Sequence, residues 1–140
     1  MAEPVPGAGE AVAAARALIA ERAEEGRHHV AAAVITQAGA FHLGLNLESG
    51  LGRAAICAES VAIGMARTAD RQARIAFSVA VNRRGLVIPP CGLCRELLID
   101  YGAEARVAVP GGADWLALPL AELLPHAYKA ALRTGTETGP

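Results

Sequence analysis

All three cysteines of this chain and one carboxylate fall into a single pattern: Cys57-Ala58-Glu59 and, about thirty residues later, Pro90-Cys91-Gly92-Leu93-Cys94-Arg95. A fold that uses this pattern has to bring two distant segments to one point. Three thiolates leave the fourth tetrahedral position of Zn²⁺ open for water, and a non-ligand Glu two residues from one of them can carry protons for that water. The arrangement therefore reads as a zinc-activated water beside a proton shuttle. The competing reading is a closed Cys₃His site that holds only the fold, with His28, His29, His42 or His126 as the fourth ligand. Structural zinc modules tend to pair two Cys-x-x-Cys or Cys/His knuckles, whereas this chain has one knuckle and a lone Cys followed by a Glu. Cysteines buried merely as apolar residues would explain each one singly but not the Pro-Cys-x-x-Cys spacing.

The pattern sits in a readable succession of elements. Val12, Ala15, Leu18 and Ile19 recur at helical spacing up to about Glu25, with Gly26 as the stop. His29 to Thr36 and Phe41 to Leu47 read as two strands joined by Gln37-Ala38-Gly39. Ile56 to about Ala69 contains no Pro and mostly small or apolar residues, as in a helix buried on most sides. Ile75 to Val81 is a nearly continuous apolar strand, Asn82-Arg83-Arg84-Gly85 its turn, and Leu86 to Ile88 a brief continuation ended by two prolines. Cys91 opens a helix with Leu93, Leu97, Leu98 and Tyr101 on one face and Gly102 near its end. Arg106 to Val109 and Trp115 to Leu118 read as strands, and Pro119 starts a helix through Leu124. The expected fold is α/β, a three-layer α/β/α sandwich with a mixed five-stranded sheet. Residues 1–10 are expected to be a flexible N-terminus, 11–133 a single zinc-binding domain and 134–140 a disordered tail.

The 140 residues suffice for one domain with a sizeable core. Thirteen Lys plus Arg nearly cancel fourteen Asp plus Glu, so a formal charge of -1 provides no general attraction to nucleic acid or acidic membranes. With two Phe, two Tyr and one Trp there is also little to stack the bases of a polynucleotide. The N-terminus lacks a basic segment, no apolar run approaches membrane-spanning length, and an odd cysteine count in metal-like spacing suits a reducing compartment. The expected location is cytoplasmic. A hydrophobic content of 53% against 19% charged residues points either to oligomerisation or simply to an alanine-rich chain.

Helix starts at Cys57 and at Cys91 and Cys94 would set all three sulfurs near positive dipole ends, which favour thiolates. Three thiolates around Zn²⁺ still carry a formal charge of about -1, and Arg53 and Arg95 are the sequence-local cations available to offset it from a second layer. Each could equally be a surface charge. Glu59 can take a proton from water and hand it on, whereas a first-turn surface Glu would need no cysteine partner pattern.

From about His28 to Tyr128 these residues resemble the cytidine deaminase family. Its Asn-x-Glu ahead of Cys-Ala-Glu appears here as Asn46-Leu47-Glu48, eleven residues before Cys57. The resemblance implies zinc held by Cys57, Cys91 and Cys94, proton transfer by Glu59, ribose recognition by Asn46 and Glu48, and a substrate contact at Ala58. It further implies hydrolytic deamination of cytidine or deoxycytidine in pyrimidine salvage, by a homotetramer acting on a small nucleoside. Leu123-Leu124-Pro125-His126-Ala127-Tyr128 is similar to the family's Leu-Leu-Pro-x-x-Phe, whose aromatic closes over the base, often from a neighbouring subunit; Tyr128 is the candidate. The base-stacking Phe of the family's Phe-x-Val-Gly-Ala-Ala falls on His28, and an Arg that neutralises the thiolates falls on Ser60. Blasticidin S deaminase is also similar in Cys-Ala-Glu and Pro-Cys-Gly-x-Cys-Arg, which keeps a modified cytosine nucleoside or another amino-heterocycle as the alternative substrate.

Overall fold

The computed structural model describes residues 5–136. Helix α1 (Ala8–Arg22) precedes a hairpin of β1 (Val30–Thr36) and β2 (Phe41–Leu45), a 3-10 turn (Gly52–Ala54) and helix α2 (Ala58–Ala69). There follow β3 (Ile75–Asn82), a two-residue β4 (Val87–Ile88), helix α3 (Gly92–Gly102), β5 (Arg106–Gly111), β6 (Asp114–Pro119) and the short helices α4 (Leu120–Leu123) and α5 (Ala130–Thr134). The sheet runs β2-β1-β3-β5-β6, with β4 paired back onto β3 as a sixth, minor strand. It is mixed: β3 and β5 are parallel and every other pairing is antiparallel.

Side chains alternate across this sheet, as the period of two requires. Ala31, Ala33 and Ile35 of β1, with Phe77, Val79 and Val81 of β3, pack under Ala11, Val12, Ala15 and Ile19 of α1. Ala32, Val34 and Ala80 face the other way, against Ala58, Ala62, Ile63 and Ala66 of α2 and Leu98 of α3. The result is the expected α/β/α sandwich. One irregularity matters: Ile35 pairs with Phe77 but Thr36 with Ile75, leaving Ala76 as an extra residue that turns Ile75 onto the α2 side.

Boundaries differ from expectation at both ends. α1 begins at Ala8, within the stretch expected to be flexible, because Ala8 and Ala11 are buried; Gly7, at φ 80°, supplies the left-handed residue that precedes it. At the other end, α5 reaches Thr134, a one-turn helix the sequence pattern did not indicate, and residues 137–140 lie outside the described residues, as do 1–4. β5 continues through Pro110, beyond the two residues that pair with β3, where a missing N–H is tolerated. No helix among the described residues is long and apolar enough to cross a membrane.

Candidate metal centre and active site

Two helix N-termini converge on one end of the sheet. Cys57 is the N-cap of α2 and Cys91 the N-cap of α3, with Cys94 one turn on in α3. β2 passes hard against the first turn of α2: a Cβ on Gly44 would lie 2.6 Å from the Ala58 carbonyl oxygen and 2.7 Å from the Ala62 nitrogen. Only a glycine there lets α2 sit this low on the sheet, and with it Cys57 and Glu59. A bridge between Leu47 and Ile56 closes the intervening loop and returns the chain to the site.

The three sulfurs lie within 4.8 Å of one another, and those of Cys57 and Cys91 are 3.5 Å apart. Sulfurs around one tetrahedral zinc ion, at the usual bond length, are separated by roughly 3.8 Å, so the donor set fits that ion. Among the described residues no His, Asp or Glu joins the group, which argues against a closed Cys₃His site. Burial pushes the Cys94 thiol far up, helped by the neighbouring Glu59, Cys57 and Cys91, and also raises Cys57. Burial pushes on Cys91 too, but the Cys94 N–H and the two neighbouring thiols outweigh it and hold Cys91 below its ordinary range. A dication resolves this crowding by stabilising all three thiolates at once.

Glu59 is 4% exposed, in the first turn of α2. Burial raises its carboxyl above the ordinary range, partly offset by its own N–H and by the Cys94 thiol that bonds it. It shares with Cys57 and Cys91 a cavity of about 320 Å³, whose lining also includes His29, Asn46 and Glu48 and the apolar Ile56, Ile88 and Pro89. Ala58 lines the same cavity. A larger groove of about 690 Å³ lies between α3 and the segment Tyr128–Ala131, but it holds none of the sulfurs.

Asn46 does structural work as well. Its Oδ1 accepts from the backbone N–H of His29 at 2.7 Å and of Val30 at 3.0 Å. Two donors on one end identify that end as oxygen, so the amide's Nδ2 is the end left for a ligand.

Three expectations meet the structure differently. His28 does not line the cavity; its Nδ1 accepts from the Glu24 N–H while its own N–H donates to the Glu24 carbonyl, locking it into the turn after α1. His29 lines the cavity in its place, next to the position on which the family's base-stacking Phe falls. Arg95 does not bond a sulfur: Nε donates to the Pro90 carbonyl and Nη1 to the Leu123 carbonyl, both at 2.8 Å, tying the start of α3 to α4. Arg53 is exposed on the 3-10 turn and makes no hydrogen bond among the described residues. Tyr128 is 61% exposed and lines the larger groove, away from its own chain's sulfurs.

The family described as the cytidine and deoxycytidylate deaminase zinc-binding region matches residues 9–109. The chain is 33% identical over 112 residues to blasticidin-S deaminase of Bacillus cereus, covering 75% of this chain and 80% of that one. Among solved structures, cytidine deaminase of Mycobacterium leprae superimposes with a TM-score of 0.75 at 29% identity, over 88% of this chain and all of the other. Cytidine deaminase of Burkholderia pseudomallei gives 0.72 at 28% identity, over 86% and 98%.

Proposed function

Because the chain belongs to the family of cytidine and deoxycytidylate deaminases, zinc-dependent hydrolases, we propose that it deaminates cytidine and deoxycytidine to uridine and deoxyuridine, releasing ammonia. The observation that carries this reading is the cavity itself, lined by Cys57, Cys91 and buried Glu59 together with Asn46 and Glu48. Cys57, Cys91 and Cys94 would hold the zinc. Bound there, zinc supplies the Lewis acidity that makes water a nucleophile near neutral pH.

Glu59 takes a proton from the water and delivers it to N3 of cytosine, then passes a proton to the departing amine, so that one water is consumed and one ammonia released. In the same cavity, a sugar hydroxyl can accept from Asn46 Nδ2 and donate to Glu48, a pairing that leaves both side chains unsatisfied when the hydroxyl is missing. Ile56, Ile88 and Pro89 exclude bulk water from the base.

Among the described residues no Lys or Arg lines the cavity to receive a 5′-phosphate, which favours nucleosides over deoxycytidylate. The same lining admits a positively charged aminonucleoside, and with the identity to blasticidin-S deaminase it supports that substrate as the second reading. The exposed Tyr128 is assigned to a neighbour's site in a homotetramer, and the enzyme to pyrimidine salvage in the cytoplasm. An ultraviolet assay on cytidine, deoxycytidine, deoxycytidylate, cytosine and blasticidin S tests the reading. Turnover of the first two decides for it, turnover of blasticidin S alone decides for the second, and turnover of none refutes both.

A further inference from the structure

We infer that His29 is a positioning residue, which holds the Glu48 carboxylate where a substrate's sugar hydroxyl meets it. This rests on the ribose-side role proposed above for Glu48. Nε2 of His29 stands 3.4 Å from Oε2 of Glu48, at ion-pair distance, while the other carboxylate oxygen accepts from the Ser49 N–H at 3.2 Å. His29 is itself fixed, because its backbone N–H donates to Asn46 Oδ1 at 2.7 Å. Asn46, His29 and Glu48 thus close a ring of contacts between the start of β1 and the chain leaving β2, and all three line the cavity.

Glu48 sits outside any helix or strand and is partly exposed, so without a partner its carboxylate would spread over several rotamers and binding would have to order it. The Ser49 N–H on one oxygen and the imidazole at ion-pair distance from the other restrict that freedom and still leave lone pairs for a hydroxyl. His29 is remote from the proton chemistry: it does not join the sulfur group, and its neighbour across the contact is a binding residue. Its loss should therefore raise KM and leave kcat alone.

The test compares cytidine with 2′,3′-dideoxycytidine, which lacks the hydroxyls, on the zinc-loaded enzyme. His29→Ala should raise KM for cytidine by about fivefold, the ceiling for a partly exposed pair, with kcat within about twofold. Dideoxycytidine kinetics should not move. His29→Gln, which keeps a donor, should recover most of the loss, and adding His29→Ala to Glu48→Gln should change nothing further. His29→Phe serves if the alanine variant does not fold. An equal change on both substrates, or none on cytidine, would make His29 only a turn residue and leave the proposed function standing. A wild-type enzyme that does not turn over cytidine at all would remove the proposed function and this inference together.

Discussion

Part of the cavity lining comes from helix N-termini, the helix wall, and part from loops at the open end of the β1–β2 hairpin, the loop wall. The helix wall holds Cys57, Cys91 and Glu59, on backbone set by α2 and α3 packed against the sheet. The loop wall holds His29, Asn46 and Glu48, on backbone with no regular structure beyond the isolated bridge at Leu47. On the first wall position follows from local spacing, since a residue and its neighbour one turn on share a helix end. On the second, position follows from cross-strand bonds such as Asn46 to His29. The contrast separates the chemistry of the site from its selectivity, and it can be tested one wall at a time.

The largest effect should come from metal. Purified protein should hold about one zinc per chain, and chelation should abolish deamination until zinc is restored; full activity of a metal-free preparation would overturn the assignment of the helix wall. Glu59→Gln should keep zinc and fold while losing about a thousandfold or more in kcat, because the amide preserves shape but cannot move protons. Activity within about tenfold of wild type would show that the shuttle lies elsewhere.

Gly44→Ala probes what fixes the helix wall in place. The new methyl has nowhere to go between two backbone atoms of α2, so it should cost about 3 kcal/mol and lower the melting temperature by roughly 10 °C. An unchanged melting curve would mean that β2 and α2 are less tightly apposed than the structure has them. On the loop wall, Glu48→Gln should weaken cytidine by about tenfold in kcat/KM and leave free cytosine unaffected, since it alters an acceptor for a sugar hydroxyl only. Equal losses on both substrates would erase the division between the walls.

The smallest effect tests the proposed third contribution, from a neighbouring subunit. Tyr128→Ala should lower activity only several-fold, and mixing it with Glu59→Gln subunits under exchange should restore part of it, as a lid supplied in trans requires. Light scattering that finds a monomer, fully active at nanomolar concentration, would return Tyr128 to a packing role.

The cysteine cluster, the buried Glu59 beside it and the fold class were legible from residue order because each depends on short-range regularities. Those are the Cys-x-x-Cys turn, the dipole at a helix start and the alternation of apolar residues along β1 and β3. The same regularities misled at the edges of elements. The match to the family's Phe-x-Val-Gly-Ala-Ala favoured His28, yet a turn closed by Glu24 withdrew it and left His29 in the cavity. Charge and proximity in sequence favoured Arg95 and Arg53 as partners of the sulfurs, yet the carbonyls of Pro90 and Leu123 claimed the first, and the second is exposed on its turn. What the chain order determined was which groups gather at the helix N-termini of the candidate site, because helix geometry ties them to their neighbours. Which histidine lines the cavity, and which carbonyls Arg95 takes, was decided by the tertiary structure, because every donor takes the partner that folding brings within reach.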